Sequence, residues 1–354
     1  MIRVGLMAGV VCLAVLGLWL RPVPAQRFEV PLAATLGTGA VIETVFTYTS
    51  PEGTAHAPAI VSQGVTFDVI WFDGIRESHN DVRILRGNPR DATVEEALTR
   101  QDLSARMEPP QTVLTLGNPL DSDGELLVTA VSLGGWAASS VVHDTGRRAR
   151  KLSLSPVLNR SHLVKSPVVA MGDGWRMLPS YFEMGAAYGV AVLIDTDGRV
   201  RGQSAMAGGA GAIQPMVLPL DDKTAVALLR RFDRSQSNLL ASWTLDAGRT
   251  WSRPEPLNVP NPSAPVAAVH LEDGRLLMLF NDHESDADTL TFATSSDGGR
   301  TWQRTRVLDG PGEGDLRYPM MTVLSDGRIA VTYSFSSKAG IVAHVMSADW
   351  ALGQ

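Results

Sequence analysis

The sequence predicts an all-β chain folded as a six-bladed β-propeller. Three observations carry this. Thr244-x-Asp246-x-Gly248-x-Thr250-Trp251 and Ser295-x-Asp297-x-Gly299-x-Thr301-Trp302 fit one pattern, with their aspartates 51 residues apart. A fixed period of that size marks a repeat architecture. Short apolar runs end in Asp-Gly turns at Asp123-Gly124, Asp173-Gly174, Asp197-Gly198, Asp273-Gly274 and Asp326-Gly327, and Asp-Gly between apolar runs is a hairpin signal. Long helical periodicity is scarce, while glycine (33) and proline (21) are plentiful. Six blades of about 50 residues need roughly 300, and Val41 to Trp350 supplies 310.

Taken in chain order, Met1-Ile2-Arg3 is a short positive start and Val4 to Leu20 an uncharged, mostly apolar run. Arg21-Pro22-Val23-Pro24-Ala25 follows, so residues 1–25 read as a secretory signal cleaved after Ala25 or as an uncleaved signal anchor. The expected location is exported, periplasmic or secreted, with inner-membrane anchorage if the segment is retained. Residues 26–354 form the propeller. Cys12, the only cysteine, lies in the apolar run, so the exported part has no disulfide framework and no thiol-ligated metal. Removing Arg3 and Arg21 takes the formal charge from −6 to −8. An acidic balance over the whole chain argues against nucleic acid as a partner, and membrane contact is expected only through the N-terminal segment. Asp91–Leu103, rich in Glu, Ala, Leu and Arg, reads as an inserted loop or short helix.

Each repeated motif describes a turn locked from inside. Asp bonds backbone two residues on, Gly permits a positive φ, and Trp packs beneath the turn. Such a device builds blades and carries no catalysis. His143-Asp144-Thr145-Gly146 looks like a third, degenerate copy without the Trp. Gly208-Gly209-Ala210-Gly211 resembles a phosphate loop only in its glycines and reads as a connection. Asn159-Arg160-Ser161 matches a glycosylation sequon. The seven histidines include no His-x-His or His-Glu-x-x-His, so no metal or cofactor is expected.

The two motifs look like the Asp boxes of sialidase-type propellers, and the chain resembles bacterial sialidase-like proteins of the BNR-repeat type. The resemblance rests also on Ala55-His56-Ala57-Pro58-Ala59, Trp71-Phe72-Asp73-Gly74-Ile75-Arg76-Glu77-Ser78-His79-Asn80-Asp81 and Gly117-Asn118-Pro119. Gly134-Gly135-Trp136, Leu178-Pro179-Ser180-Tyr181-Phe182-Glu183, Gln214-Pro215, Pro260-Asn261-Pro262-Ser263, and Arg317-Tyr318-Pro319 with Tyr333 complete it. It implies an exo-acting glycosidase that removes a terminal acidic sugar with retention of configuration. In that scheme a Tyr nucleophile is activated by a Glu, an Asp is the acid/base, and three Arg clamp the sugar carboxylate. Tyr suits this substrate because a neutral nucleophile is not repelled by the carboxylate. By this resemblance Tyr318 is the nucleophile, Glu183 its base and Asp81 the acid/base. His56, Arg76, Glu77, Tyr181, Arg230 (or Arg231), Asn261, Arg317 and Tyr333 line the substrate.

Two clamp positions depart from the pattern. Where the first clamp Arg is expected, the chain reads His56-Ala57-Pro58. On the strand entering the second Asp box, where another Arg belongs, it reads Asp286-Ala287-Asp288-Thr289-Leu290. The implied substrate is therefore another acidic sugar or a neutral one. The alternatives to hydrolysis are a catalytically silent glycan-binding propeller and a scaffold for an envelope or polysaccharide-export complex.

Overall fold

In the computed structural model, the described residues are 25–37, 39–155, 161–206, 211–233, 236–312 and 314–354. The expected leader before Ala25, most of the glycine loop at Gly208 and most of the sequon at Asn159 lie outside them.

The described chain is built mainly of antiparallel β-sheets, laid down one after another in chain order. Thr54–Gln63, Thr66–Gly74, Arg83–Asn88 and Thr93–Leu98 form one four-stranded sheet. Thr115–Ser122, Glu125–Val131, Ser139–Asp144 and Ala149–Lys151 form the next. A nine-stranded sheet follows. Its first half runs from His162–Val164 and Val169–Ala170 through Arg176–Phe182 and Tyr188–Ile194 to Val200–Met206. Its second half comprises Ala212–Pro219, Ala225–Arg231, Asn238–Thr244 and Glu255–Pro260. A single parallel pairing, Tyr188 with Ala212, joins the halves. Then come Ala267–Leu271, Leu276–Asn281, Leu290–Ser295 and Gln303–Asp309, edged by Ala33–Ala34. Arg317–Val323, Ile329–Phe335 and Gly340–Met346 make the last sheet, which Ile42–Thr49 completes from the start of the chain.

Apolar residues sit between successive sheets. Phe72, Leu116, Val128 and Leu178 belong to one buried cluster spanning the first sheets, and Phe280, Phe292, Val331 and Leu228 to others further on. Trp71 and Val69 of the first sheet pack with Ala330, Ile341 and Ala343 of the last, so the final sheet lies against the first. The turn at Asp273-Gly274 closes a hairpin between Ala267–Leu271 and Leu276–Asn281 as expected, with Gly274 at φ +87°.

The region expected to hold a loop or short helix at Asp91–Leu103 instead carries an outer strand, Thr93–Leu98, followed by the helix Arg100–Arg106. Thr99 caps that helix with a reciprocal Thr99–Asp102 capping box, which satisfies backbone N–H groups the helix cannot pair itself. The strand escaped the sequence reading because it is an exposed outer strand with no apolar alternation.

Both Asp boxes behave as the sequence predicts: one follows Asn238–Thr244, the third strand in the second half of the nine-stranded sheet, and the other follows Leu290–Ser295, the third of the four strands Ala267–Leu271 to Gln303–Asp309. In the first, Asp246 accepts from the Thr250 N–H (2.9 Å) and hydroxyl (2.7 Å), while Thr244 Oγ1 accepts from the Gly248 N–H (2.9 Å). In the second, Asp297 takes the same bonds from Thr301 (2.9 and 2.6 Å), and Ser295 Oγ accepts from Gly299 (3.0 Å). The degenerate copy keeps the Asp144 to Gly146 N–H bond (3.0 Å) and adds an ion pair to Arg106 (2.8 Å).

Candidate active site

Antiparallel neighbours place the start of a first strand beside the end of the second. His56 and Tyr318 sit near the starts of Thr54–Gln63 and Arg317–Val323, and Gln214 near the start of Ala212–Pro219. Tyr181 and Arg230 sit near the ends of the second strands Arg176–Phe182 and Ala225–Arg231. These five side chains converge at one end of the sheets. The Asp boxes, after third strands, lie at the other.

One local device aims the inward side chains. The pairing register slips between His56 and Ala59, Leu116 and Pro119, Ile213 and Met216, and Arg317 and Met320. Each slip falls at an Xaa-Pro step, where proline cannot donate to the ladder. Ala57, Gln214 and Tyr318 take φ of +53°, +53° and +57°, a left-handed region costly for a non-glycine residue. A bulge bends the strand and redirects its side chains.

Gln214 holds the centre of the cluster. Its Nε2 donates to the hydroxyls of Tyr318 (2.7 Å) and Tyr181 (3.1 Å), and its Oε1 accepts from Arg230 Nη1 (3.0 Å). Arginine has only donors, so the amide oxygen must face Arg230 and the NH2 must face the tyrosines. Arg230 Nε also donates to Ser263 Oγ (3.1 Å). Burial above all, with the nearby Glu183 carboxylate adding to it, holds the Tyr181 hydroxyl well above its ordinary pKa, so it stays protonated.

His56 is buried, 4.3 Å from the Tyr318 ring centre to centre. Its Nδ1 lies 2.7 Å from Ser334 Oγ. The Ser334 hydroxyl donates to the Arg317 carbonyl (3.0 Å), so it accepts from His56 Nδ1–H, and the lone pair of the ring is at Nε2. Burial, then the charges of Lys338, Arg317 and Arg230, push its pKa well below the usual value. His56 is a neutral acceptor, fit for a sugar hydroxyl and unfit for gripping a carboxylate.

The acids are arranged differently from the expectation. Burial alone would raise the Asp81 pKa, but bonds from the Ile75 N–H (2.8 Å) and His79 Nδ1 (2.5 Å) lower it. That favours the carboxylate, the opposite of what a general acid needs near neutral pH. Glu183 is raised by burial, with Arg230 opposing and Glu77 adding to the rise.

The profile of the BNR repeat-like domain matches residues 66–331. The chain belongs to the sialidase-like BNR-repeat family. No curated protein matches it. Among solved structures, a Dyadobacter fermentans protein of unknown function superposes with a TM-score of 0.64 at 14% identity, covering 86% of this chain and 99% of that one. Trypanosoma rangeli sialidase gives 0.63 at 12% identity, over 89% of this chain and 60% of its own. Hadza microbial sialidase Hz136 gives 0.62 at 16%, over 84% and 66%. This BNR-repeat chain thus spans under two thirds of either sialidase. At such identities the likeness is one of fold.

Several expected site residues in this BNR-repeat protein are engaged elsewhere. Tyr318 is bonded to Gln214, and the expected pairing of its hydroxyl with Glu183 gives way to that amide. Asn261 is a loop lock: its Oδ1 accepts from the Arg231 and Ala264 N–H groups (3.2 and 3.3 Å) and its Nδ2 donates to the Ala264 carbonyl (2.7 Å). Tyr333 points away from Ser334, since neighbours on a strand face opposite sides. It bonds Asp309 (2.8 Å) and stacks on His344. Arg317 pairs with Asp315 (2.8 Å), Glu77 with Lys338 (2.9 Å), and Arg76 is exposed on the loop before Asp81.

Gln214, which the resemblance includes only as part of Gln214-Pro215, is the residue at the centre of the cluster that the sequence did not single out. A signal was available. Ala57-Pro58, Asn118-Pro119, Ser166-Pro167, Gln214-Pro215, Ala264-Pro265 and Tyr318-Pro319 recur at about 50-residue spacing, the size expected of a blade. Reading that series would have put Gln214 and Tyr318 in equivalent, inward-facing positions.

Proposed function

We propose that the chain binds a terminal acidic sugar of a glycan at the His56, Tyr318, Gln214 and Arg230 cluster, without sialidase-type turnover. One observation carries this reading: an amide stands where Tyr318 needs a carboxylate. An un-ionised phenol is a weak nucleophile, and an amide cannot take its proton. Arg230 keeps N–H groups beyond those given to Gln214 and Ser263, enough for a planar grip on a carboxylate. His56 Nε2 is ready to accept from a hydroxyl beside it. We take the scaffold as a six-bladed propeller, because the nine-stranded sheet divides at Tyr188 and Ala212 into two ordinary blades. We also infer export, from the apolar run before Ala25.

A second reading, retaining hydrolysis with Tyr318 as nucleophile, is favoured by Glu183, a carboxyl whose pKa burial raises and whose charge is felt by Arg230 and Tyr181 of the cluster. Wild type, Tyr318→Phe and Gln214→Glu, each with a panel of acidic and neutral glycosides, separate the two. Binding without sugar release by wild type, and release gained by Gln214→Glu, supports the binding reading. Release by wild type that Tyr318→Phe abolishes establishes hydrolysis instead. If wild type binds no acidic sugar, the assignment of the cluster falls.

A further inference from the structure

A groove of about 650 Å³ lies between the second sheet and the first half of the nine-stranded sheet, at the Asp-box end. Arg147, Arg148, Arg150, Lys151 and Arg199 line it, against two carboxylates, Glu108 and Asp197. In a chain of net charge −6 this is a concentrated positive surface. Its carboxylates do not neutralise it. Glu108 is shared between Arg148 (2.8 Å) and Arg150 (3.2 Å), and Asp197 pairs with Arg199 (3.4 Å). Arg147 makes no ion pair among the described residues. The arginine side chains of those pairs are 55–66% exposed, so their guanidinium donors are open to a ligand.

The backbone holds the cations in place. Ala149–Lys151 pairs with the third strand of its sheet. Across the groove, the turn bearing Asp197 and Arg199 is tied by the Asp195 carboxylate to the N–H groups of Asp197 (3.0 Å) and Arg199 (2.8 Å). Gly198 packs against His143 at a distance that leaves no room for a side chain.

We propose that this groove is a second binding site, for a stretch of acidic polysaccharide. A concave channel with cations on both walls fits a chain of spaced anions better than a flat bilayer. Among the described residues no Phe, Tyr or Trp lines it, so these offer no stacking platform of the kind used on single-stranded nucleic acid. Spaced carboxylates or sulfates match arginine forks. The assignment stands apart from the Tyr318 cluster, which lies at the other end of the sheets.

The experiment is titration of the full chain with oligogalacturonate at low and high salt, for wild type, Arg147→Glu/Arg150→Glu and Arg230→Ala. These exposed groove arginines are replaceable without loss of the fold, which thermal melting verifies. Wild type should bind at low salt and weaken as salt rises, since the contacts are exposed charges. The groove double variant should bind roughly tenfold or more weakly, while Arg230→Ala should keep groove binding. Equal affinity in the double variant overturns the proposal. So does absence of oligogalacturonate binding, or tighter binding of an oligodeoxynucleotide or of phosphatidylglycerol vesicles. Loss of binding in Arg230→Ala alone assigns the polysaccharide to the Tyr318 cluster and also overturns it.

Discussion

Because Gln214 Nε2 donates to the Tyr318 hydroxyl, the phenol must give its own proton elsewhere, and a bound sugar oxygen is the natural acceptor. Arg230 then supplies the charge. Arg230→Lys keeps the charge but loses the planar fork, so affinity for an acidic sugar should fall about 10- to 100-fold, read by calorimetry. His56 sets the pH behaviour. Its folded pKa is far below the ordinary value, so affinity should not climb as pH falls from 8 to 6. A climb there would mean an imidazolium contact and would refute the neutral assignment. At this scale the sequence was half legible. Tyr318, Arg230, Tyr181 and His56 were named through the resemblance to sialidase-like proteins, and the fold brings these four side chains together around Gln214. Gln214 was passed over because an amide carries no charge signal, and Glu183 was preferred because a carboxylate does.

At the scale of the turn, the two Asp boxes share their hydrogen bonds but differ in burial. Trp302 is 3% exposed and donates to Gly299, whereas Trp251 is half-buried and donates to Ser204 Oγ. Trp302→Ala should therefore cost about 3–5 kcal/mol, and Trp251→Ala distinctly less, as urea midpoints would show. Equal losses would contradict the burial difference. The box carboxylates add a pH term. Burial opposes ionisation of Asp297, but bonds from Thr301, Ser295 and Arg300 win and bring its pKa to about 2 from 3.8. A depressed folded pKa means the unfolded chain binds more protons in that window. Its contribution is whole above pH 4 and is lost as pH falls from about 4 towards 2. Asp297→Asn should reduce the acid sensitivity of stability in that window. If the two proteins lose stability in parallel there, the carboxylate is not its source. These turns were legible because the Asp, Ser or Thr, and Gly bonds that lock them lie within eight residues. The outer strand Thr93–Leu98 was not, because an exposed edge has no buried face to impose a pattern.

Over the whole molecule, the sheets are fastened to one another by a buried cation. Lys165 Nζ donates to the carbonyls of Val266 (3.0 Å) and Pro319 (2.5 Å), so one side chain links the segment after His162–Val164 to the residue that leads into Ala267–Leu271 and to the strand Arg317–Val323. Burial lowers its pKa from 10.5 to about 7. A lysine depressed on folding binds fewer protons in the native state than in the unfolded chain. The desolvation cost is therefore greatest below pH 7, and relief grows as pH rises from 7 towards 10. His162, lowered by burial to about 4, adds a loss of the same sign as pH falls below its ordinary 6.5. Burial raises Tyr48, Tyr181 and Tyr333, which oppose the trend only near and above their ordinary 10. Lys165→Met keeps an unbranched apolar stem and removes the titration, so the rise in urea midpoint between pH 7 and 9 should flatten. It also strands two carbonyls, lowering stability at every pH, so the slope rather than the height is the diagnostic. A variant with a lower midpoint and an unchanged slope would show that Lys165 fastens the sheets but does not titrate in this range.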